Sequence, residues 1–303
     1  MVLDRPITPH LWFDTQAREA AEFYVSVFPE SRIDSATVLH DTPSGDCDVI
    51  SFTLAGQPFM AISAGPLFTF NPSISFFVNF DPAKDPQARE RLDIAWKKLA
   101  EGGQVLMELG EYPFATRYGW VQDRYGLSWQ LILANPAGEQ RPAIVPSFLF
   151  TGDAYGQAEA AGDYWRGVFD DSRAGQLVRY EEATEHDRAG AVMFSDFRLG
   201  PDWFVAMDSG YEHGFGFNEA VSFIVHCRDQ AEIDRYWEKL SAHPENEQCG
   251  WCKDRFGVSW QVSPIVLDEV MTSDDQAAID RVTQAFLPMK KLDVAAIEKA
   301  AKG

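Results

Sequence analysis

The order of hydrophobic and polar residues along the chain repeats a five-element pattern. Alternation from Thr8 to Phe13 predicts a strand, and apolar residues at helical spacing from Ala20 to Val27 predict a helix that ends near Pro29. Three β-rich runs follow, at residues 34–40, 48–54 and 58–63. The same order of one strand, one helix and three strands returns between residues 73 and 133. Two βαβββ units in series indicate a mixed α+β fold in which sheets form the core.

A long internal repeat sets the domain count. The block Gly119–Gln130 returns as Gly250–Gln261 with eight of twelve residues identical, and Phe70–Phe76 returns as Phe217–Phe223. A period close to half of the 303 residues is typical of a tandem duplication. We therefore predict a first domain, a linker, a second domain and a C-terminal helical segment, at residues 1–135, 136–144, 145–265 and 266–303.

The two copies differ in one stretch and are followed by further helices. The segment from Leu240 to Gly250 is about ten residues shorter than the segment from Leu99 to Gly119, so the second copy is predicted to lack a strand or hairpin. Beyond it, a capping-box pattern from Ser273 to Gln276 predicts the start of a helix. A last helix is predicted to begin after Asp293.

Charge and composition exclude several classes of function. The chain carries 26 Lys and Arg against 46 Asp and Glu, a formal charge of −20, so its surface repels phosphate backbones and anionic lipids. No window approaches the roughly 18 consecutive apolar residues of a membrane span, and Met1 to His10 do not form a secretory signal. Four cysteines are too few for a disulfide scaffold. We expect a cytoplasmic protein that binds neither nucleic acid nor membranes.

Four segments carry a resemblance to a known superfamily. They are Phe13–Tyr24, Gly119–Gln130, its repeat Gly250–Gln261, and Ala285–Asp293 near the C-terminus. Through them the chain resembles the vicinal oxygen chelate superfamily of glyoxalase I, ring-cleaving dioxygenases and bleomycin-binding proteins. Within it, the chain looks like the PhnB-like subfamily, which is often labelled 3-demethylubiquinone-9 3-methyltransferase. The resemblance implies tandem glyoxalase-like domains, each built of two βαβββ modules, plus C-terminal helices. It also implies a pseudo-dimeric monomer or a homodimer.

The resemblance also indicates where a metal would be held. Metal-dependent members carry ligands on the first, fifth and last strands of a copy, and a rough alignment places neutral or apolar residues at all these positions: Thr8, Ser73 and Gln130 in the first copy, and Val145, Ala220 and Gln261 in the second. Such side chains are poor ligands for zinc or iron. We expect no metal and no cofactor. The methyltransferase label is unsupported as well, because no glycine-rich turn follows a strand and opens a helix.

Candidate ligand-binding residues follow from strand alternation. Gln130 and Gln261 alternate with Trp129 and Trp260, so the amides are predicted to face a pocket and the indoles the helix-packed core. His10 is either a pocket acid or base or a half-buried strand histidine. The full candidate set is Thr8, His10, Trp12, Ser73, Trp120, Ser128, Gln130, Ser147, Trp251, Ser259 and Gln261.

Two other motifs are predicted to be structural. Cys249 and Cys252 have the spacing of a redox or zinc pair, but they enter a strand rather than a helix, and no second pair accompanies them. The Asp-Arg dipeptides at Asp123 and Asp254 precede a glycine and are interpreted as a turn with a surface ion pair.

Three hypotheses for the function remain open. The first is a metal-free protein that binds a small molecule. The second is a vicinal oxygen chelate enzyme of lyase, dioxygenase or group-transfer type that uses a pocket in the first copy, with or without a divalent metal. The third is a scaffold whose pockets are filled. The absent metal ligands favour the first hypothesis, and we expect its ligand near His10, Trp12, Trp120 and Gln130, bordered by the hairpin at residues 102–119.

Overall fold

The computed structural model describes residues 7–135 and 137–303. The first six residues of the predicted first domain, and position 136 at the start of the predicted linker, lie outside the described residues. The strands are β1 (Ile7–Phe13), β2 (Arg32–Thr42), β3 (Gly45–Leu54), β4 (Gln57–Ser63), β5 (Ile74–Phe80), β6 (Gln104–Tyr112), β7 (Ala115–Gln122), β8 (Ser128–Leu133), β9 (Ile144–Phe150), β10 (Arg173–Arg179), β11 (Val192–Leu199), β12 (Asp202–Asp208), β13 (Val221–Cys227), β14 (Trp251–Lys253) and β15 (Ser259–Pro264). The helices are α1 (Ala17–Val27), α2 (Ala88–Ala100), α3 (Ala158–Val168), α4 (Gln230–Leu240), α5 (Ile265–Met271), α6 (Gln276–Phe286) and α7 (Val294–Lys302).

The strands form two mixed sheets, and each sheet combines modules from both halves of the chain. Sheet A has the order β14-β15-β13-β1-β4-β3-β2, and sheet B has the order β10-β11-β12-β9-β5-β8-β7-β6. First strands of modules from different copies pair antiparallel within each sheet: β1, which begins the first copy, with β13, and β5 with β9, which begins the second copy. The tandem α+β fold is confirmed, and its two copies are interleaved. The predicted domain boundaries remain a prediction from the sequence.

One hydrophobic core joins the two sheets and the helices α1 to α4. Trp129, Trp165 and Trp260 are fully buried in it. Phe59 of sheet A lies 5.1 Å from Phe76 of sheet B between ring centroids, in an edge-to-face arrangement that packs the sheets together. Each sheet therefore has one face on this shared core and a second face turned away from it, which we call the distal face. The two tryptophans predicted to face the core do so.

The C-terminal segment packs on the distal face of sheet A. Helix α5, which the sequence pattern did not predict, follows β15 directly, and the Thr37 hydroxyl donates to the Met271 carbonyl at 2.7 Å. The side chain that caps α6 is Asp275, not Ser273, because the Asp275 carboxylate accepts from the amide of Ala278. Asp293 caps α7 as predicted. Within the described ranges, no helix is long and apolar enough to cross a membrane.

The same segment replaces a strand that the second copy lacks. The first copy has the hairpin β6–β7, whereas β14 in the second copy is only three residues long. Backbone amides of Cys249 and Gly250 donate to the carbonyls of Met289 and Lys290, each at 2.7 Å. The predicted loss of a strand or hairpin from the shorter second copy is seen as the loss of one strand, the counterpart of β6, and the chain after α6 covers the edge that this loss exposes.

We expect residues 1–140 expressed alone to aggregate or to self-associate. In that fragment β1 and β5 lose β13 and β9, so two central strands become sheet edges with unpaired backbone groups. Size-exclusion chromatography with light scattering, together with near-ultraviolet circular dichroism, checks this. A monomeric fragment with native-like aromatic signals would contradict it, and the full chain serves as the control.

Candidate functional site

A row of polar residues crosses the centre of each sheet on the distal face. In sheet B, Ser75 pairs with Ser128 on one side and with Ser147 on the other. In sheet A, His10 pairs with Ser222, and the register of β13 with β15 places Ser259 next to that serine. The two rows occupy equivalent positions of the repeat, with His10 standing where the second copy has Ser147. Each row combines residues of both copies.

The polar row of sheet B continues into a buried hydrogen-bond chain. The Tyr118 hydroxyl donates to Oε1 of Gln130 at 2.5 Å, and Nε2 of Gln130 donates to Oγ of Ser75 at 2.8 Å. Burial raises the pKa of Tyr118, so the phenol stays protonated and acts as the donor. Trp120 donates through Nε1 to Ser128 at 2.7 Å. Both ends of the Gln130 amide are thus used inside the protein.

The polar residues of sheet A connect to the C-terminal segment. Thr8 Oγ1 lies 2.9 Å from Nε2 of His226, and Nδ1 of the same ring lies 2.6 Å from Asp268 of α5. Gln261 donates through Nε2 to Ser222 at 3.0 Å. This chain of contacts anchors α5 to β1 and β13, which fixes the C-terminal segment against the sheet.

His10 differs from its polar neighbours. Its side chain is 4% exposed, and no hydrogen-bond partner for Nδ1 exists among the described residues. Burial lowers the pKa of His10 to about 3, so the imidazole is neutral at physiological pH. The ring packs edge to face against Trp251 at 5.5 Å between centroids.

The candidate residues therefore divide between two sheets. The set on or beside sheet B is Ser73, Trp120, Ser128, Gln130 and Ser147, and the set on sheet A is Thr8, His10, Trp12, Trp251, Ser259 and Gln261. The expectation of one pocket formed by His10, Trp12, Trp120 and Gln130 is wrong. The reason is the pairing of β1 with β13 rather than β5, which sends the two modules of the first copy to different sheets.

Several residues of these rows were missed in the sequence. Tyr118 lies two positions before Trp120 on β7, so alternation places both side chains on the same face and could have indicated it. Ser75 and Ser222 occupy matched positions of the repeat, which was a second available signal. No local pattern identifies His226 and Asp268, because their contact joins β13 to a helix more than forty residues away.

The interpretation of Asp123 and Asp254 as surface ion pairs is wrong. Asp254 is fully buried; it accepts hydrogen bonds from the indoles of Trp165 and Trp260, at 2.7 and 2.9 Å, and from two backbone amides of its turn. Asp123 accepts from Trp129 and two turn amides in the same way. Burial raises the pKa of both carboxyl groups, an effect that these donors oppose. The following Arg124 stacks on Phe23 instead of pairing with the aspartate.

The cysteine pair has the environment of structural thiols. Cys252 is buried in the shared core, and burial raises the pKa of its thiol. Burial also raises the pKa of Cys249, whose Sγ contacts the Leu287 carbonyl at 3.1 Å. A redox-active thiol needs the opposite shift, toward the thiolate. The structural interpretation of the motif therefore fits its surroundings.

The positions that hold a metal in related enzymes do not fit one here. Thr8 is bonded to His226, and the amide of Gln130 is shared between Tyr118 and Ser75. Within residues 7–135 and 137–303, no group of three or more His, Cys, Asp or Glu side chains could hold an ion. Zinc and iron require imidazole, thiolate or carboxylate donors. We derive no chemistry through a metal at these positions.

From the sequence, no glycine-rich turn is expected to follow a strand and open a helix, but the loop between β9 and α3 is one. Gly152 and Gly156, both at positive φ, lie between a strand and a helix, where a phosphate-binding turn would be found. The Asp208 carboxylate, however, accepts from the amides of Gly156 and Ala158 at 2.9 and 3.2 Å. A protein carboxylate thus occupies this helix N-terminus, so the loop offers these amides to no anionic cofactor.

A cavity of about 700 Å³ opens at one end of the distal face of sheet B. The hairpin β6–β7 borders it and contributes the aromatic pair Tyr112 and Phe114, whose rings stack 5.6 Å apart. Phe194 and Ile132 form further apolar walls. Polar lining residues are Asn79, Asp81, Glu111, Thr116, Asn135, Glu139, Gln140, Arg141, Gln176 and Asp196.

Strand-helix modules from the two copies, joined through their first strands into two mixed sheets, give the chain the vicinal oxygen chelate fold. A family model described as 3-demethylubiquinone-9 3-methyltransferase matches residues 5–132 and again residues 142–263. The chain belongs to this family, whose members are also called PhnB-like. The match covers both copies, which confirms the duplication seen in the sequence.

The chain is also similar to several solved structures. The PhnB protein from Bacillus cereus is 38% identical over 43% of this chain and 100% of its own length, with a TM-score of 0.39. A protein from Staphylococcus aureus is 34% identical over 43% of this chain and 97% of its own, with a TM-score of 0.17. A mutant glyoxalase I from Zea mays is 8% identical over 84% of this chain and 92% of its own, with a TM-score of 0.51, a likeness of fold alone. A comparison with curated proteins finds no match.

We predict that Gln130→Ala lowers the free energy of unfolding by about 1–3 kcal/mol, because it leaves the buried Tyr118 hydroxyl without its acceptor. The matched variant Gln261→Ala should cost less, since that amide is half-buried and makes one bond, to Ser222. Urea unfolding followed by tryptophan fluorescence measures both. An equal or larger loss in Gln261→Ala would contradict the assignment.

We also predict that acid destabilises the protein through His10. The folded pKa of about 3 lies below the ordinary 6.5, so the unfolded chain binds the proton first and stability falls as pH decreases from 6.5 toward 3. At pH 5 the loss from this residue is about 2 kcal/mol relative to pH 8. Urea unfolding of the wild type and His10→Gln at both pH values tests this. The idea fails if the two proteins lose the same amount.

Proposed function

We propose that the chain is a metal-free small-molecule-binding protein whose ligand occupies the cavity on the distal face of sheet B. The single observation that carries the proposal is this cavity of about 700 Å³. Ligand sites of proteins typically measure about 300–1,000 Å³ and combine apolar walls with a few fixed polar groups. The distal face of sheet A is covered by α5 to α7, so sheet B offers the more open surface.

One wall of the cavity is aromatic and is suited to a flat ring, while the other lining residues include many polar groups. Tyr112 and Phe114 present two stacked rings, and Phe114 is 63% exposed at the entrance. An exposed phenylalanine beside a cavity gains apolar burial when a ligand covers it. The lining residues Tyr112, Ile132 and Phe194 pack against a small apolar cluster that includes Phe77 and Tyr118.

The polar groups of the cavity are held in place before a ligand arrives. Arg141 donates through Nε to Asp196 at 2.8 Å, and its guanidinium lies 3.8 Å above the ring of Trp203. A side chain fixed on two sides loses little entropy on binding, which favours specificity. Asn79 is likewise fixed, because its Nδ2 donates to the Pro142 carbonyl at 2.9 Å.

The cellular setting belongs to the same proposal. All four cysteines, Cys47, Cys227, Cys249 and Cys252, are free thiols, which supports a reducing compartment such as the cytoplasm. The formal charge of −20 supports a small-molecule partner over nucleic acid or an anionic membrane. We assign no reaction to this site. The buried groups near the cavity are the amide of Gln130 and the phenol of Tyr118, and burial raises the pKa of that phenol.

Binding of the neutral fluorescent probe N-phenyl-1-naphthylamine tests the site. We expect one saturable equivalent per chain and an affinity about tenfold weaker in Phe114→Ala, since one ring contact is lost. Tyr211→Ala removes an aromatic side chain that is also exposed but lies outside this cavity, and it should leave the affinity unchanged. The proposal is wrong if the probe does not saturate or if both variants weaken it equally.

A further inference from the structure

We propose that helix α2 is the contact surface for a second molecule of this protein, in a two-fold dimer whose α2 helices run antiparallel. The contact is centred on Gln87, Glu90, Ile94 and Lys97, which we call the α2 ridge. These residues are three or four positions apart and are all exposed, so they form one line along the helix and its N-cap. The contact uses neither distal face and is independent of the cavity on sheet B.

Ile94 is an exposed aliphatic side chain at the middle of the α2 ridge. It is 51% exposed. In the repeat, Trp96–Leu99 corresponds to Trp237–Leu240, so Ile94 corresponds to Arg235 of α4. Nη1 of Arg235 donates to Oδ2 of Asp170 at 2.6 Å, an ion pair on the surface. The second half of the chain thus has a solvated ion pair where the first half exposes an isoleucine, which favours a partner that buries the isoleucine.

The surface around Ile94 has both a ridge and depressions that can receive one. A depression of about 390 Å³ lies between the α2 ridge and the end of α1, where Phe28, Pro29 and Phe80 provide apolar walls. A second depression of about 580 Å³ lies on the other side of the ridge. Helices pack when the side-chain ridge of one lies in a groove of the other. Two molecules can therefore each place Ile94 in a depression of the partner.

The charges of the ridge favour the antiparallel arrangement. With a two-fold axis at Ile94 and a rise of about 1.5 Å per residue, Glu90 lies about 6 Å before the axis and Lys97 about 4.5 Å after it. In an antiparallel pair, Glu90 of each molecule then faces Lys97 of the other. The dimer gains two ion pairs of opposite charge, and a parallel pair would not form them.

The outer face of α2 also avoids the repulsion that the charge of the chain causes. The chain carries a formal charge of −20, so two molecules repel each other over most of their surface. On this face, Arg91 pairs with Asp85 at 2.7 Å, and Asp93 pairs with Arg117 at 2.8 Å. The remaining charges, those of the ridge and of Arg89, add no net negative charge. Two molecules can therefore approach through α2 at low electrostatic cost.

Sedimentation velocity of the full-length chain, over a roughly 100-fold range of concentration centred on ~10 µM, tests the contact. We expect a reversible dimer and no larger species. Ile94→Asp should weaken the dimer about tenfold or more, since it places two carboxylates at the axis. Leu67→Asp changes another exposed aliphatic residue, outside α2, and should leave the dissociation constant unchanged. Circular dichroism verifies that each variant is folded.

Exchange of the ridge charges tests the antiparallel arrangement itself. Glu90→Lys alone places like charges across the axis and should weaken the dimer about tenfold. Glu90→Lys combined with Lys97→Glu restores opposite charges and should return the dissociation constant to within about threefold of the wild-type value. Both positions are exposed, so these variants are expected to keep the fold.

Five results would overturn the proposal. They are a wild-type chain that stays monomeric at every concentration, assembly beyond the dimer, an Ile94→Asp variant that dimerises as tightly as the wild type, equal weakening by Leu67→Asp, and a double charge variant without recovery. The first result excludes a dimer. Each of the others places self-association on a different surface or in a different arrangement.

Discussion

The architecture depends on one contact, the pairing between first strands of modules that belong to different copies. Because β1 pairs with β13 and β5 pairs with β9, each sheet contains strands of both copies. The connections that cross between the sheets are bonded to each other: Asn71 donates to the Gly216 carbonyl at 3.0 Å, and Asn218 donates to the Thr69 carbonyl at 2.8 Å. This reciprocal pair of hydrogen bonds ties the two crossing connections together beside the shared core.

Duplicated sequence has produced two unlike surfaces. Both distal faces carry a polar row at their centre, but sheet A is covered by the C-terminal helices and sheet B is bordered by the hairpin β6–β7. One deletion of about ten residues, together with the segment that fills its place at Met289 and Lys290, accounts for the difference. In a chain with two copies, the residues on one distal face can change while the shared core and the fold stay the same. The two faces can therefore differ in what they bind.

The sequence predicts the local structure well because local structure follows from spacing. Alternation placed Trp129 and Gln130 on opposite faces, and the repeat revealed both copies. The partner strand of β1 could not be predicted from the sequence. Both β5 and β13 have the same alternating pattern, and only the packing of the whole chain decides which of them pairs with β1. Burial of Asp254 was missed for a related reason: its turn is visible in the sequence, but one of its donors, the indole of Trp165, comes from a helix 89 residues away. Candidate residues were therefore found individually and grouped incorrectly.

The central strand pairing of sheet A has a consequence for synthesis of the protein. Ile7 pairs with Val225, so β1 leaves the ribosome long before its neighbour exists. At about 5–20 residues per second, the interval is on the order of 10–40 s. During that time β1 can pair with β4, but its other edge has no partner, and contacts of such long sequence separation slow folding. β1 therefore gains its second strand partner only after most of the second copy has been synthesised.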